Sequence, residues 1–301
     1  MKDYIVFSIG SNKQLAKDFA KFWNCQLGKV EIKKFADGEM LVKPLTSVDN
    51  KDVIIIESTA KKPNDHIFQI LMLLDSIQRS NARSVTLIIP YLGYSRQERI
   101  NYPNEPISCE IMAKVLETAQ YDKLMSLDLH HPVIESFFKK GIKNIPTTEI
   151  FANYYLTYLR DNGYSTEDVV IVSPDHGSNF RADSLVFRLR GAKKVILEKA
   201  RPEPDLVEHL EINGDVKGKV CIIIDDIIST GNTITSSTKL LYKAGAKEVL
   251  VGATHGVFSG DAIEKMKSAG VKDIAVTNSI EQGKIEGVTM LDILQLIIEN
   301  I

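Results

Sequence analysis

Short apolar runs alternate with amphipathic segments along almost the whole chain of 301 residues. Residues 53–56 form such a run, and residues 65–79 then place apolar side chains three and four positions apart, as on one face of a helix. Unbroken runs of valine and isoleucine are typical of strands that are buried on both faces of a parallel sheet. The alternation of such strands with helices therefore predicts an α/β protein whose largely parallel sheets are flanked by helices.

The expected elements follow from the same criteria. Strands are predicted at residues 4–9, 53–56, 85–89, 124–127, 169–172, 195–197, 220–224, 249–253 and 274–276. Helices are predicted at residues 14–23, 65–79, 107–118, 150–160, 180–189, 233–244 and 263–269. Because strands and helices alternate in both halves of the chain, the second half repeats the rhythm of the first.

The two halves also resemble each other weakly in sequence. The segments 52–56 and 82–85 have counterparts at residues 219–224 and 246–249, and a helix separates the two segments of each pair. We therefore predict two related domains, residues 1–146 and residues 147–286, with residues 287–301 as a candidate to complete the first. Chance similarity between two strand–helix–strand units is the alternative interpretation.

Charge and composition exclude several classes of protein. The 37 lysines and arginines nearly balance the 39 aspartates and glutamates, which argues against a protein covered by nucleic acid or held on a membrane by charge. The apolar runs are far shorter than the roughly 20 residues that span a bilayer. The first ten residues show no leader pattern, and the three cysteines form no CxxC motif. We therefore expect a cytoplasmic protein with no nucleic-acid or membrane partner.

The most informative local pattern is an apolar run that ends in two acids and a hydroxyl-rich loop. Asp225 and Asp226 follow the run at residues 220–224, and residues 229–233 then lead into a predicted helix. At the carboxyl edge of a parallel sheet, such a loop offers backbone N–H groups and the positive end of the helix dipole to a phosphate. Gly231 lets the backbone come close, and paired carboxylates suit sugar hydroxyls or a hydrated Mg²⁺. The alternative is that the acids merely cap the turn.

This pattern looks like the ribose-phosphate binding loop of the phosphoribosyltransferase fold, and further segments resemble one family, ribose-phosphate pyrophosphokinase, over nearly the full length. In order, they are FADGE at 35–39, PYLGYSRQER at 90–99, PIS at 106–108, DLH at 128–130, SPD at 173–175, GDVKG at 214–218 and THGVFSG at 254–260. The resemblance implies two similar phosphoribosyltransferase-like domains, each a largely parallel sheet flanked by helices. It implies a ribose-phosphate diphosphokinase, which moves the diphosphoryl group of ATP to the 1-hydroxyl of ribose 5-phosphate. The products are AMP and 5-phosphoribosyl 1-diphosphate, for nucleotide, histidine and tryptophan biosynthesis.

The resemblance also implies roles for individual residues. Lys199 and Arg201 match two functional cations of a mobile catalytic loop, and His130 and Asp175 fall where the family holds Mg²⁺. The resemblance assigns ATP binding to Phe35, Asp37, Glu39, Arg96, Gln97 and Arg99. It assigns ribose 5-phosphate binding to Asp225, Asp226, Ser229, Thr230, Gly231, Asn232 and Thr233. Members of the family assemble dimers into hexamers, so the resemblance implies a homo-oligomer that takes ATP and ribose 5-phosphate.

Residue chemistry supports some of these roles and leaves others open. Arg96 carries a rigid fork of donors that suits a phosphate better than a lysine would, and Phe35 can stack on a purine. Taken alone, residues 35–39 would be interpreted as a solvated turn and residues 96–99 as surface charge. Because Mg²⁺ prefers oxygen ligands, His130 as a ligand depends on the resemblance alone.

The chain departs from the family pattern at several positions. Ser229 stands where the family commonly has Asp, and Asn232 where it has Gly, so the detail of phosphate binding is open. The segments that bind ADP or phosphate in regulated members correspond to residues 49–50 and 101–105, which lack cations here. An anionic effector needs positive partners, so we do not expect such regulation.

Two other functions remain as alternatives. A base phosphoribosyltransferase would share the phosphate loop, but it would need no nucleotide site at residues 37–39 and 96–97. A non-catalytic regulatory subunit would keep the fold and bind catalytic partners, although retention of Lys199, Arg201, His130 and Asp175 speaks against it. Release of AMP from ATP and ribose 5-phosphate would separate these functions.

Overall fold

A computed structural model describes residues 3–199 and 210–301. The first half contains β1 (Tyr4–Phe7), α1 (Lys13–Phe22), β2 (Gln26–Leu27), β3 (Val30–Lys34), β4 (Met40–Pro44), β5 (Asp52–Ile56), α2 (Pro63–Arg79), β6 (Ser84–Ile89), α3 (Ser108–Leu116), β7 (Lys123–Leu127) and β8 (Lys143–Ile145). The second half contains α4 (Thr148–Asp161), β9 (Val169–Ser173), α5 (Asn179–Arg188), β10 (Lys193–Lys199), β11 (Leu210–Asn213), β12 (Val220–Ile228), α6 (Asn232–Lys243), β13 (Glu248–Gly256), α7 (Ala262–Ser268), β14 (Asp273–Thr277), β15 (Thr289–Leu291) and α8 (Leu294–Ile298). Each predicted strand and helix overlaps an element of the same type. None of the described helices is long and apolar enough to cross a membrane.

The chain divides into two compact units. Unit 1 comprises Met1–Ile145, Asn278–Gln282 and Leu294–Ile301, and unit 2 comprises Pro146–Thr277 and Gly283–Ile293. We expected residues 287–301 to complete the first domain. Leu294–Ile301 does belong to unit 1, but β15 pairs in parallel with β14 and so belongs to unit 2. Residues 278–282 belong to unit 1, where the carbonyl of Ser279 accepts hydrogen bonds from Asn12 Nδ2 at 3.1 Å and Ser58 Oγ at 2.5 Å.

Each unit is built on one sheet. In unit 1 all neighbours are parallel, in the order β2-β1-β5-β6-β7-β8. In unit 2 the order is β11-β10-β9-β12-β13-β14-β15, and only the β10–β11 pair is antiparallel among the described strands. The predicted fold class, largely parallel sheets flanked by helices, is confirmed. Strands β5 and β12 occupy equivalent places, since each lies beside the first strand of its unit.

The central strands are buried on both faces, as their unbroken apolar sequences predicted. Along β12, Cys221 and Ile223 pack in the layer that contains α6, whereas Ile222 and Ile224 pack in the layer that contains α4 and α5. Full burial of one such side chain contributes roughly 1.5–3 kcal/mol relative to exposure. Burial on both faces therefore stabilises both sets of side chains, which alternate along the strand.

The hairpin of β3 and β4 was not predicted from sequence. It pairs antiparallel and stands apart from the main sheet of unit 1. Most of its side chains are at least partly exposed, and Val42 is its one fully buried residue among those described. Such a ribbon has no long apolar run to reveal it, and the same holds for the short strands β2, β8, β11 and β15.

A buried carboxylate ties the loop after β1 to the end of β5 in unit 1. Glu57 directly follows β5 and is fully buried. Its oxygens accept hydrogen bonds of 2.8–3.0 Å from Ser8 Oγ and the backbone N–H groups of residues 9–11, and Oε1 lies 3.0 Å from His66 Nδ1. Burial alone would raise the pKa of Glu57, but the hydrogen bonds from His66, Ser11 and Gly10 outweigh it and hold the pKa below its usual value.

Replacing Glu57 with Gln should destabilise the protein, because an amide NH₂ would face donors that now bind a carboxylate oxygen. We expect a loss of about 2–4 kcal/mol in the free energy of unfolding, measured by urea denaturation at neutral pH. The matched control is Glu299→Gln, since Glu299 is exposed and accepts a hydrogen bond from Gln295 four residues earlier. The control should change stability by less than about 0.5 kcal/mol.

The pH dependence of the same comparison provides a second check. Because the folded-state pKa of Glu57 is depressed, its stabilisation is present above the ordinary carboxyl value of about 4.3 and is lost as the pH falls through the lower folded value. The stability gap between the native protein and Glu57→Gln should therefore narrow in acid. A gap that stays constant from neutral pH into acid would contradict this account.

Candidate functional site

The predicted acid pair lies inside β12 rather than after it. We expected the strand to end at Ile224, but β12 continues to Ile228. Its neighbour β9 pairs with β12 only as far as Ile223, within the described residues, whereas β13 continues alongside to the end. Asp225 and Asp226 therefore lie in extended backbone, in which successive side chains point to opposite faces of the sheet.

Asp226 points into the layer that contains α5. It shares the face of Ile224 and is 3% exposed. Its Oδ1 lies 3.7 Å from Nη1 of Arg181, which is itself 5% exposed. The guanidinium carbon of Arg181 also lies 4.3 Å from the ring centre of Phe180. The guanidinium of Arg181 thus helps to fix the position of the buried carboxylate of Asp226.

Asp225 points to the opposite face and is partly exposed. Its Oδ1 accepts hydrogen bonds from Ser178 Oγ at 2.6 Å and from the Asp226 N–H at 2.9 Å. Desolvation and then repulsion from Asp226 raise the pKa of Asp225 to about 8, against the opposing effects of Ser178 and Arg181. The partly exposed carboxylate of Asp225, next to the buried carboxylate of Asp226, can accept hydrogen bonds from sugar hydroxyls or interact with a cation.

The predicted phosphate loop follows β12 and leads directly into α6. Gly231 has a φ of 72°, and a Cβ there would lie 3.0 Å from the carbonyl oxygen of Ala262, so both backbone and space require glycine. The loop carbonyls of Ile228 and Ser229 accept hydrogen bonds from the backbone of residues 257–259. The first N–H groups of α6 have no acceptor within their helix and can serve an anion. Around them, the side chains of Thr230, Asn232 and Thr233 are exposed and that of Ser229 is partly exposed.

The two predicted metal ligands each follow a strand. Asp175, after β9 in unit 2, is exposed, and its Oδ1 accepts a hydrogen bond of 2.8 Å from the Ser178 N–H. His130, after β7 in unit 1, is partly exposed, and the preceding Leu129 N–H is held by Asn144 Oδ1 at 3.0 Å. Residues 3–199 and 210–301 contain no cluster of three or more His, Cys, Asp or Glu side chains arranged around a common point. An exposed carboxylate fits Mg²⁺, which usually takes one or two carboxylates and completes its shell with waters and substrate phosphates.

The first group of predicted nucleotide residues lies on the turn between β3 and β4. The Phe35 N–H donates to the Glu39 carbonyl at 2.8 Å, Gly38 has a φ of 97°, and Asp37 Oδ1 accepts from the Glu39 N–H at 3.1 Å. The ring of Phe35 is 41% exposed, with Lys33 Nζ 5.0 Å from its centre. An exposed ring and two exposed carboxylates on the same turn offer stacking and hydrogen bonding to a nucleoside.

The second group follows β6. Arg96 is exposed, whereas Gln97 accepts a hydrogen bond of 2.5 Å from Ser108 Oγ at the start of α3. Arg99 Nε lies 3.5 Å from Glu98 Oε1. The guanidinium groups of this segment are thus at the surface, where they can reach a phosphate, while Gln97 anchors the loop to α3.

The predicted catalytic cations are only partly within the described chain. Lys199 is the last residue of β10, where its backbone pairs with that of Leu210 in β11. Arg201 and the rest of the predicted mobile loop lie outside the described residues. Two residues that contact the acid pair, Ser178 and Arg181, were missed from sequence. Ser178 lies two positions before the predicted helix at residues 180–189 and Arg181 lies in its first turn, so only their spacing of three residues suggested that they are neighbours.

Comparisons with known proteins cover both units. The sequence model for the N-terminal domain of ribose phosphate pyrophosphokinase matches residues 4–119, and that for the phosphoribosyl synthetase-associated domain matches residues 203–301. The ribose-phosphate pyrophosphokinases of Bacillus caldolyticus and Bacillus subtilis are each 40% identical to this chain, over 98% and 100% of it and 93% of their own lengths. That of Corynebacterium ammoniagenes is 40% identical over 98% of this chain and 92% of its own.

A solved structure is similar over nearly the whole chain as well. The crystal structure of phosphoribosylpyrophosphate synthetase from Mycobacterium smegmatis superposes with a TM-score of 0.91 at 31% identity. The match covers 99% of this chain and 97% of that one. The similarity therefore includes unit 1 as well as unit 2, which contains the phosphate loop.

The raised pKa of Asp225 predicts a pH-dependent gain in stability for Asp225→Asn. An acid whose pKa is raised in the folded state imposes no penalty below its unfolded value, and the penalty grows as the pH rises towards the folded value. The variant should match the native protein near pH 4 and exceed its stability by roughly 1–3 kcal/mol above pH 8. Urea denaturation without divalent cations measures both proteins.

Asp215→Asn is the matched control, because Asp215 is an exposed acid of the same unit that caps the N–H of Lys217. It should show no such divergence with pH. If Asp225→Asn and the native protein lose stability in parallel from pH 4 to pH 9, the carboxylate of Asp225 is not held in the environment described above.

Proposed function

Because the chain belongs to the ribose-phosphate pyrophosphokinase family, we propose which of its residues carry the family's reaction. The enzyme transfers the diphosphoryl group of ATP to the 1-hydroxyl of ribose 5-phosphate and releases AMP. Its other product, 5-phosphoribosyl 1-diphosphate, serves nucleotide, histidine and tryptophan biosynthesis. The observation that carries this function is 40% identity to ribose-phosphate pyrophosphokinases over nearly the full length of both partners. A base phosphoribosyltransferase or a non-catalytic subunit is not favoured by these relatives.

We propose that unit 2 binds ribose 5-phosphate. The carboxylates of Asp225 and Asp226 would accept hydrogen bonds from the ribose hydroxyls, since they lie on the strand that leads into the loop. The 5-phosphate would lie at the N-terminus of α6, where backbone N–H groups and the helix dipole favour an anion. Gly231 gives the close approach, and the hydroxyls of Ser229, Thr230 and Thr233 add donors. Asn232 begins α6 with its side chain exposed, so its backbone N–H can still serve the phosphate.

We propose that unit 1 supplies residues for ATP. The ring of Phe35 would stack on the adenine, with Asp37 and Glu39 accepting from amino or hydroxyl groups. Arg96 and Arg99 would bind phosphates with their planar forks, and Gln97 would place that loop. The ribose 1-hydroxyl attacks the β-phosphorus in line and AMP leaves, so the protein mainly positions the reactants and neutralises charge.

We propose Mg²⁺ as the required metal, with Asp175 and His130 as protein ligands. Asp175 offers an exposed oxygen donor whose orientation is set by the Ser178 N–H. The assignment of His130 depends on the family pattern, since the ion prefers oxygen ligands. When bound, the ion neutralises charge on the nucleotide phosphates.

We propose a cytoplasmic homo-oligomer in which dimers form a hexamer, without nucleic-acid or membrane partners. Cys25, Cys109 and Cys221 are free thiols, which suits a reducing compartment. The assembly is carried over from the family, and sedimentation or light scattering measures it directly.

Product analysis tests the function. Purified protein with ATP, ribose 5-phosphate and Mg²⁺ should form AMP and 5-phosphoribosyl 1-diphosphate in equal amounts. A base phosphoribosyltransferase would instead consume 5-phosphoribosyl 1-diphosphate together with a base and release diphosphate. Protein that forms no AMP at any Mg²⁺ concentration would indicate a regulatory subunit.

We propose that Lys199 and Arg201 act on the charge that develops on the diphosphoryl group during transfer. Cations that act mainly in the transition state lower kcat when removed and change KM little. Lys199→Ala and Arg201→Ala should each lower kcat by roughly a hundredfold or more, the scale of losing one preorganised charge contact. The double variant should lose less than the product of the two single effects, because the residues act as one unit.

Lys193→Ala is the matched control, since Lys193 is an exposed lysine at the other end of β10. It should retain native kcat and KM. If Lys199→Ala or Arg201→Ala keeps near-native kcat and only raises KM, that residue merely binds substrate and the catalytic assignment is wrong.

A further inference from the structure

The start of α5 holds both acids of the proposed ribose site. Ser178 directly precedes the helix and Arg181 lies in its first turn, where the Arg181 N–H donates to the Ser178 carbonyl at 3.0 Å. Ser178 is 4% exposed and Arg181 5% exposed. A hydroxyl and a guanidinium removed from water need polar partners, and the acid pair provides one for each.

Ser178 binds two carboxylates that belong to neighbouring strands. Its Oγ donates to Asp225 Oδ1 at 2.6 Å, and its backbone N–H donates to Asp175 Oδ1 at 2.8 Å. Asp225 lies on β12 and Asp175 follows β9, and these two strands pair in parallel. One residue therefore sets the position of the proposed ribose-binding acid relative to the proposed metal-binding acid.

Arg181 supports the second acid. The 3.7 Å separation between its Nη1 and Asp226 Oδ1 joins two side chains that are both almost completely buried. Its positive charge lies one turn along α5 from Ser178, so one short stretch of backbone carries a partner for each carboxylate. Because Arg181 is almost completely buried and contacts Asp226, it acts through that residue rather than on a substrate.

We propose that Ser178 and Arg181 are positioning residues: Ser178 holds the carboxylate of Asp225 in the orientation that receives the ribose hydroxyls, and Arg181 fixes the buried carboxylate of Asp226 next to it. The proposal rests on the assignment of the acid pair to ribose 5-phosphate. Without these partners, each carboxylate could take other orientations, and the binding of the sugar would have to restore the productive one. Preorganisation of this kind strengthens binding of the sugar without touching the nucleotide.

Steady-state kinetics of Ser178→Ala tests the proposal. The variant removes the hydroxyl and keeps the backbone N–H that binds Asp175. KM for ribose 5-phosphate should rise about tenfold, the scale of a hydrogen bond to a charged group, while KM for ATP stays within about twofold. Ser178→Thr keeps a hydroxyl and should restore most of the ribose 5-phosphate affinity. Ser184→Ala, an exposed serine of α5 that donates to the Phe180 carbonyl, is the matched control.

A double-mutant cycle separates positioning from a general structural role. If Ser178 acts through Asp225, Ser178→Ala combined with Asp225→Ala should raise KM for ribose 5-phosphate no further than Asp225→Ala alone. Effects that multiply, or a Ser178→Ala variant that weakens ATP and ribose 5-phosphate equally, would overturn the proposal. If Asp225→Ala leaves KM for ribose 5-phosphate unchanged, the ribose assignment itself fails.

Arg181→Lys tests the other half of the pair. Lysine keeps the charge but lacks the planar fork that reaches the carboxylate. With the fold checked by circular dichroism, KM for ribose 5-phosphate should rise by a factor similar to that of Ser178→Ala, and KM for ATP should not. A folded variant with native affinity for ribose 5-phosphate would overturn the role of Arg181, and if the variant does not fold, the Ser178 series decides the proposal.

Discussion

A carboxylate that follows the doubly buried run of a central strand has to find hydrogen-bond donors, and both units satisfy this requirement in the same place. Glu57 follows β5 and Asp225 follows the buried run of β12, and these strands occupy equivalent positions in their sheets. In each unit the donors come from the loop after the neighbouring first strand. Ser8 and the N–H groups of residues 9–11 serve Glu57, and Ser178 serves Asp225.

The length of the side chain and the number of donors give the two carboxylates different properties. The longer Glu57 reaches into its loop, and its hydrogen bonds hold its pKa low, so it acts as an internal structural charge. Asp225 receives fewer donors and lies beside Asp226, so its pKa is raised and its carboxylate keeps capacity for another partner. In unit 1 the acid at this position, Glu57, therefore stabilises the fold. In unit 2 the equivalent acid, Asp225, remains available to a ligand.

The extension of β12 connects the sheet to the proposed ribose site. Because β9 stops earlier, the segment after it can turn back and bring Ser178 and Arg181 against the acids. The strand then passes through Ile228 into a loop in which Gly231 takes a backbone conformation and a space that other residues cannot. One continuous segment, from β12 to the start of α6, therefore carries the carboxylates, the loop and the N-terminus of the helix. Residues at the start of α5 support it.

The sequence by itself determined whatever depends on local periodicity and local backbone demands. Apolar runs and apolar residues three and four positions apart predicted strands and helices that each overlap an element of the same type. The order Asp225, Asp226, Gly231 indicated a phosphate loop without any knowledge of the residues that pack around it. The ordered motifs also indicated the family, which the relatives then confirmed.

Only the tertiary structure decided which distant residues meet. The continuation of β12 through its acids follows from where β9 ends, the burial of Glu57 follows from a loop far earlier in the chain, and the contacts of Ser178 and Arg181 depend on how α5 packs. The division of the tail between the units likewise depends on β15 finding β14. Periodicity states which face of an element is buried, but the partner across that face is set by long-range packing, and no local pattern encodes it.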